Sequence, residues 1–141
     1  MVNMKAFFHF ILPLAFLLPG LCSCHSGVRK DGTLKQASIQ LDSVDAKIGT
    51  FPRGASTRTT VFTFTNVGDA PLEFLDVDYS CGCVTATFPE KPVKPGKRGE
   101  IVVTYNGRLK KAGRVYQKVY FAVSGKPENF VLRIHGQMTE N

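Results

Sequence analysis

Seven short runs rich in Val, Ile, Thr, Tyr and Phe, separated by turn-forming residues, constrain this chain more than any other feature. They are residues 38–41, 59–65 (TTVFTFT), 72–79 (LEFLDVDY), 84–88, 100–105 (EIVVTY), 115–123 (VYQKVYFAV) and 129–135 (NFVLRIH). β-branched and aromatic residues suit a pleated, half-buried surface. Several runs alternate with period two: Phe62 pairs with Phe64, Leu75 with Val77, and Val115, Val119, Phe121 and Val123 share one side. Between them stand Asn66-Val67-Gly68-Asp69, Lys94-Pro95-Gly96-Lys97, Asn106-Gly107 and Ser124-Gly125-Lys126-Pro127. Pro95-Gly96 suits the central positions of a type II turn, because Pro fixes φ near −65° and Gly accepts positive φ. With no ten-residue helical period, the pattern predicts an all-β fold: an immunoglobulin-like antiparallel β-sandwich of about seven strands. The antibody variety is excluded. It needs a buried Trp and two distant Cys, whereas Trp is absent here and Cys81 and Cys83 lie two residues apart.

The first residues read differently. Lys5 precedes an apolar run, Ala6 to Leu18, interrupted by His9 and Pro13. A spanning helix needs roughly 20 apolar residues, so this shorter run fits a secretory signal better than a permanent anchor. Leu21-Cys22-Ser23-Cys24 then places Leu three positions before Cys24 and a small Ser just before it. This resembles a bacterial lipobox. The alternative register on Cys22 puts bulky Leu21 at the cleavage point, which favours Cys24 as the lipidated first residue of the mature chain. The expected organisation is a signal peptide over 1–23, a lipidated flexible tether over 24–36 and a β-sandwich over 37–141. Several acyl chains, each CH2 worth about 0.8 kcal/mol when buried, hold a protein on a bilayer where a single chain is marginal.

Removing that leader takes Lys5 with it and lowers the formal net charge from +7 to +6. A chain of the remaining size buries roughly two thirds of its unfolded surface, enough for one core without metal or disulfide staples. With Cys22 lost and Cys24 acylated, Cys81 and Cys83 are the only thiols left for an oxidising, exported setting.

Several motifs stand in a recognisable order: Asn66-Val67-Gly68-Asp69-Ala70-Pro71-Leu72, Ser80-Cys81-Gly82-Cys83-Val84, Val93-Lys94-Pro95-Gly96, the run 100–105, Gly113, the run 115–123, and a closing Leu132-Arg133-Ile134-His135-Gly136. Together, over about residues 42–138, they resemble the bacterial lipoproteins of the domain of unknown function 1573 family. The resemblance implies a fold related to the immunoglobulin-like modules of the Hydin and ASPM/SPD-2 type. It implies no activity, since the family has no agreed one.

Cys81-Gly82-Cys83 admits three chemistries. Side chains two apart on a strand point the same way, with Cα atoms roughly 6.5 to 7 Å apart, too far for a relaxed disulfide. A bulge or positive φ at Gly82 would draw the sulfurs together. The pair then reads as a thiol-redox site, as a two-thiolate ligand for copper, or as a structural staple before Val84. A closed zinc site lacks ligands, because His25 lies on the tether and His135 on the last run. The structural reading is the default.

Lys91, Lys94, Lys97 and Arg98 cluster near one turn, and Arg108, Lys110, Lys111 and Arg114 near another. Such patches meet anionic lipid or an acidic partner, or are simply solvated loop tips. No aromatic residues interleave with them, which argues against nucleic acid. His135 alternates with Ile134 and has no sequence partner for catalysis. The expected role is therefore a non-catalytic binding module without a cofactor. It is held by its lipid on a bacterial membrane, faces the periplasm, and binds a protein or another envelope component. The rival is a redox or copper protein using Cys81 and Cys83.

Overall fold

The structure, a computed structural model, describes residues 32–140. The expected signal peptide, Cys24 and most of the expected tether lie outside the described residues. Eight strands form: β1 (Ile39–Leu41), β2 (Asp45–Pro52), β3 (Thr57–Asn66), β4 (Phe74–Tyr79), β5 (Val84–Thr87), β6 (Arg98–Asn106), β7 (Gly113–Val123) and β8 (Asn129–Thr139). They build two four-stranded sheets, ordered β1-β3-β6-β5 and β2-β8-β7-β4. A short 3-10 turn, Arg53–Ala55, joins β2 to β3.

The alternation read from the sequence decides which side chains face inward. Phe62 and Phe64 of β3, Ile101, Val103 and Tyr105 of β6, and Val115, Val119, Phe121 and Val123 of β7 are buried between the sheets. Val61 of β3 is half exposed on the outer face. Phe74 sits among four rings, with Phe64, Phe88, Phe121 and Phe130 at centroid distances of 5.1 to 6.4 Å. Burying each such aromatic contributes about 1.5 to 3 kcal/mol. The type II turn forms as expected: Gly96 has φ 72° and the Lys97 N–H donates to the Lys94 carbonyl at 3.1 Å.

The expected β-sandwich forms, with differences of detail. The sandwich has an eighth strand, and it is not wholly antiparallel: β2 runs parallel to β8, from Asp45↔Arg133 to Pro52↔Thr139. A register shift between Lys47 and Gly49, with Gly49 at φ 77°, breaks the period-two pattern of β2. Ala46 and Ile48 face the core before the shift and Phe51 faces it after, so no single alternation marks the strand. A similar shift between Phe74 and Asp76 separates the expected pair on β4. Val77 packs against the core and Leu75 points out, 63% exposed.

The chain gives the sandwich two poles. At one, the segment before β1 docks on the turns after β3 and β7. The Gln36 N–H donates to Asp69 Oδ1 at 2.7 Å, and the Val67 N–H to the Ser38 carbonyl at 2.8 Å. Ala37 is buried there. Gly68 permits the contact: a Cβ on it would lie 2.4 Å from the Gln36 oxygen and the Ser38 nitrogen. The fully buried Asn66 holds this pole together. Its Nδ2 donates to the carbonyls of Ala70 and Val93, both at 2.8 Å, while its Oδ1 accepts from Gly68 and Ser38 at 3.0 and 3.3 Å. Its backbone pairs with Gly96 and Lys97. At the other pole lie the 3-10 turn, the β4–β5 turn, the β6–β7 loop and the end of β8.

Removing the Asn66 amide takes the acceptor from the Gly68 and Ser38 N–H groups and a donor from the Ala70 and Val93 carbonyls, of which Val93 keeps the Leu72 N–H. Asn66→Ala is expected to lower stability by about 2 to 4 kcal/mol. Val61→Thr on the exposed side of the same strand is expected to change it by less than about 0.5 kcal/mol. Urea unfolding of both variants measures the contrast, and equal losses would remove Asn66 from its central place.

Candidate functional site

Cys81-Gly82-Cys83 forms the corner where the chain crosses from one sheet to the other, between β4 and β5. The corner is held on both sides. Ahead of it, the Ser80 N–H donates to the Lys118 carbonyl at 3.0 Å, and the Ser80 hydroxyl donates to Gln117 Oε1 and accepts from the Lys118 N–H. Behind it, the Val84 N–H closes the turn on the Cys81 carbonyl at 3.1 Å, and the Asn106 N–H donates to the Cys83 carbonyl at 2.7 Å.

This turn draws the Cys81 and Cys83 Cα atoms to 5.1 Å and the sulfurs form a disulfide. The bond needs a tight turn and not a positive φ at Gly82, which lies outside the left-handed region. In the oxidised state described here both sulfurs belong to that bond, so two thiolates for a metal exist only after reduction. Cys81 is partly exposed and Cys83 is buried.

The disulfide borders a concave surface. One hollow of about 510 Å³ is lined by Cys81, Cys83, Arg108, Leu109 and Lys110. A second, of about 730 Å³, is lined by Arg53, Ser56, Arg58 and Arg108. Asn106 and Arg108 line both, so the two hollows lie side by side across this segment. Backbone hydrogen bonds tie their walls: beyond the Asn106 link to Cys83, the Gly107 N–H donates to the Ser56 carbonyl at 3.2 Å and the Lys110 N–H to the Gly107 carbonyl at 2.8 Å. The Arg108 N–H donates to Asn106 Oδ1 at 3.1 Å.

The surface is cationic with an apolar lip. Arg58 faces the end of the core, its guanidinium 4.6 Å from the centre of the Phe51 ring and donating to the Thr57 carbonyl at 3.0 Å. Arg53 and Arg108 line the same hollow, Lys110 lines the neighbouring one, and Lys111 follows it in the β6–β7 loop. Among the described residues, the one ion pair at this pole joins Arg53 to Glu140 at 3.7 Å. Leu109 is 93% exposed. Behind the hollows, burial raises the Tyr105 phenol above its ordinary value of 10.0.

The other basic cluster lies at the opposite pole. Lys91, Lys94 and Lys97 are exposed on the β5–β6 loop that Asn66 holds, and Arg98 pairs with Asp42. Arg114 opens β7 and lines a shallow depression of about 880 Å³ on the outer face of the second sheet, with Lys47, Tyr116 and His135. Among the described residues no hydroxyl or thiol is hydrogen-bonded to His135, and no group of three or more His, Cys, Asp and Glu is placed to hold a metal. Also among the described residues, no helix is long and apolar enough to cross a membrane. Sequence reasoning did not single out Arg53, Arg58 or Leu109. Arg58 and Leu109 flank expected strands, but only the pole brings them to the disulfide.

Comparison with known proteins places the chain. The model of the protein family of unknown function DUF1573 matches residues 39–138. The chain belongs to this family. Among solved structures, a Porphyromonas gingivalis W83 protein of unknown function superimposes with a TM-score of 0.63 at 14% identity, covering 72% of this chain. This DUF1573 chain spans 46% of that protein's length. The ASH/PapD-like domain 7 of human CEP192 gives a TM-score of 0.59 at 10% identity, with 99% of each chain covered. The VesB protease of Vibrio cholerae matches at 0.53 and 14% identity, over 73% of this chain and 31% of the protease. At such identities the likeness is one of fold. No curated protein matches significantly in sequence.

A disulfide closing so short a loop restricts the unfolded chain by only about 1.5 kcal/mol. Replacing both Cys81 and Cys83 with Ser is therefore expected to lower stability by about 1 to 2 kcal/mol and leave the far-ultraviolet circular dichroism of a folded β-protein. An unfolded double variant at room temperature would make the bond essential to the fold.

Proposed function

We propose that this protein is a non-catalytic interaction module of the bacterial cell envelope, anchored by lipid on Cys24 and facing the periplasm. The observation that carries the reading is the separation of its poles. The segment before β1 docks at one end, beside Asp69 and Gly68, whereas the disulfide corner, the adjacent hollows and Leu109 lie at the far end. β7 alone spans 11 residues, about 36 Å at strand rise.

A chain held from the Gln36 side presents the disulfide pole away from the bilayer and turns Lys91, Lys94 and Lys97 toward it. A Lys near an anionic membrane surface contributes about 1 kcal/mol. The two basic clusters thereby acquire different roles: one rests on head groups and the other meets a partner. Chemistry at the site favours binding over catalysis, since the hollows offer cations and an apolar side chain but no general base beside a nucleophile. Thiol exchange or copper binding at Cys81 and Cys83 is the alternative. It requires a dithiol form, which intact-mass measurement after alkylation of the protein from cells would detect.

Two measurements test the anchored reading. Metabolic labelling with palmitate is expected to mark the wild type and not Cys24→Ala; an unlabelled wild type defeats the anchor. With the protein on anionic vesicles carrying a lipid quencher, a fluorophore at position 94 is expected to be quenched more strongly than one at position 109. Equal quenching, or the reverse order, overturns the orientation.

A further inference from the structure

We infer that the adjacent hollows at the disulfide pole bind a carboxylate-rich peptide segment of a partner protein, with Leu109 packing against an apolar side chain of that segment. The inference rests on the interaction-module reading above and names the partner's chemistry.

Three observations converge on it. First, the pole carries five cations, Arg53, Arg58, Arg108, Lys110 and Lys111, while Glu140 is the one carboxylate among the described residues of those loops and ends. Such an imbalance raises the local concentration of anionic ligands and speeds their capture. Second, Arg58 is already oriented. Stacking on Phe51 and donation to the Thr57 carbonyl fix the guanidinium plane, so it engages a carboxylate with less ordering cost than a free side chain. Third, the walls are tied to one another through Cys83, Asn106, Gly107 and Ser56, which gives the two hollows a defined shape.

Leu109 selects among anions. It is 93% exposed and stands between Arg108 and Lys110 at the rim of the smaller hollow. A polyanionic glycan or a phosphate offers nothing for that side chain to cover. A peptide that alternates acidic and apolar residues covers it while supplying carboxylates to the arginines. Lipid head groups are disfavoured by placement, because the segment before β1, on the side of the proposed anchor, docks at the opposite pole.

The test uses the full chain in detergent micelles and a fluorescein-labelled twelve-residue peptide of Glu, Asp and Leu, read by anisotropy. Binding is expected, with loss on replacing the peptide's Glu and Asp by Gln and Asn, and weakening as salt rises from about 0.05 to about 0.5 M. Arg108→Glu is expected to weaken binding by about tenfold or more, and Leu109→Ser by a few-fold, with circular dichroism unchanged. Lys94→Glu at the other pole is the charge-matched control and is expected to bind as the wild type does. Binding that falls equally with Lys94→Glu and Arg108→Glu, equal binding of the Gln and Asn peptide, or no binding overturns the proposal. So does stronger capture of a sulfated glycan or of anionic vesicles by the disulfide pole. Failure here with palmitate labelling and the quenching order intact would leave an anchored interaction module whose partner is not acidic.

Discussion

The structure depends most on one buried amide. Asn66 sits where three segments distant in sequence meet: the approach to β1, the turn after β3, and the loop between β5 and β6. Loops of this kind normally leave backbone groups to water, but here they close over Leu72, Val93 and Ala37, which are buried. The amide supplies both donors and acceptors for groups that no sheet ladder reaches, and no buried side-chain polar atom is left without a partner among the described residues. This arrangement also fixes where the segment before β1 joins the domain.

The larger features were legible because they follow local rules. Strands β3, β6 and β7 announce themselves by strict alternation, and the Pro95-Gly96 turn by the two residues its dihedrals demand. β2 was not legible, since the shift at Gly49 moves its apolar residues off a single period and its partner is the last strand of the chain. The same holds for Asn66-Val67-Gly68-Asp69, which reads as an ordinary turn. Its purpose appears only when Gln36 and Ser38 are seen lying against it. The disulfide was half legible: spacing made clear that a flat strand could not close it. The turn that does so depends on hydrogen bonds from Asn106 and Lys118, which sequence alone does not bring near. The cationic hollows are assembled from three loops far apart in sequence, so the local run from Arg108 to Lys111 disclosed only part of them.

Likeness to solved structures at 10 to 14% identity reaches the architecture and not the chemistry. What distinguishes the present chain is how its chemistry is distributed: apolar bulk between the sheets, hydroxyls and charges outside, and the disulfide confined to a corner. Such a corner stiffens the wall of a hollow at little thermodynamic gain, a use suited to shaping a surface more than to holding a fold together.

The parallel pairing of β2 with β8 has a mechanical consequence. β2 starts toward the pole where the N-terminal segment joins, and β8 finishes at the opposite pole, with seven residue pairs between Asp45↔Arg133 and Pro52↔Thr139. Tension along the long axis, pulling one strand back and the other forward, therefore loads these hydrogen bonds together in shear instead of opening them one after another like a zipper. Parallel pairing thus makes the joint between these two strands resist extension of the domain along its length.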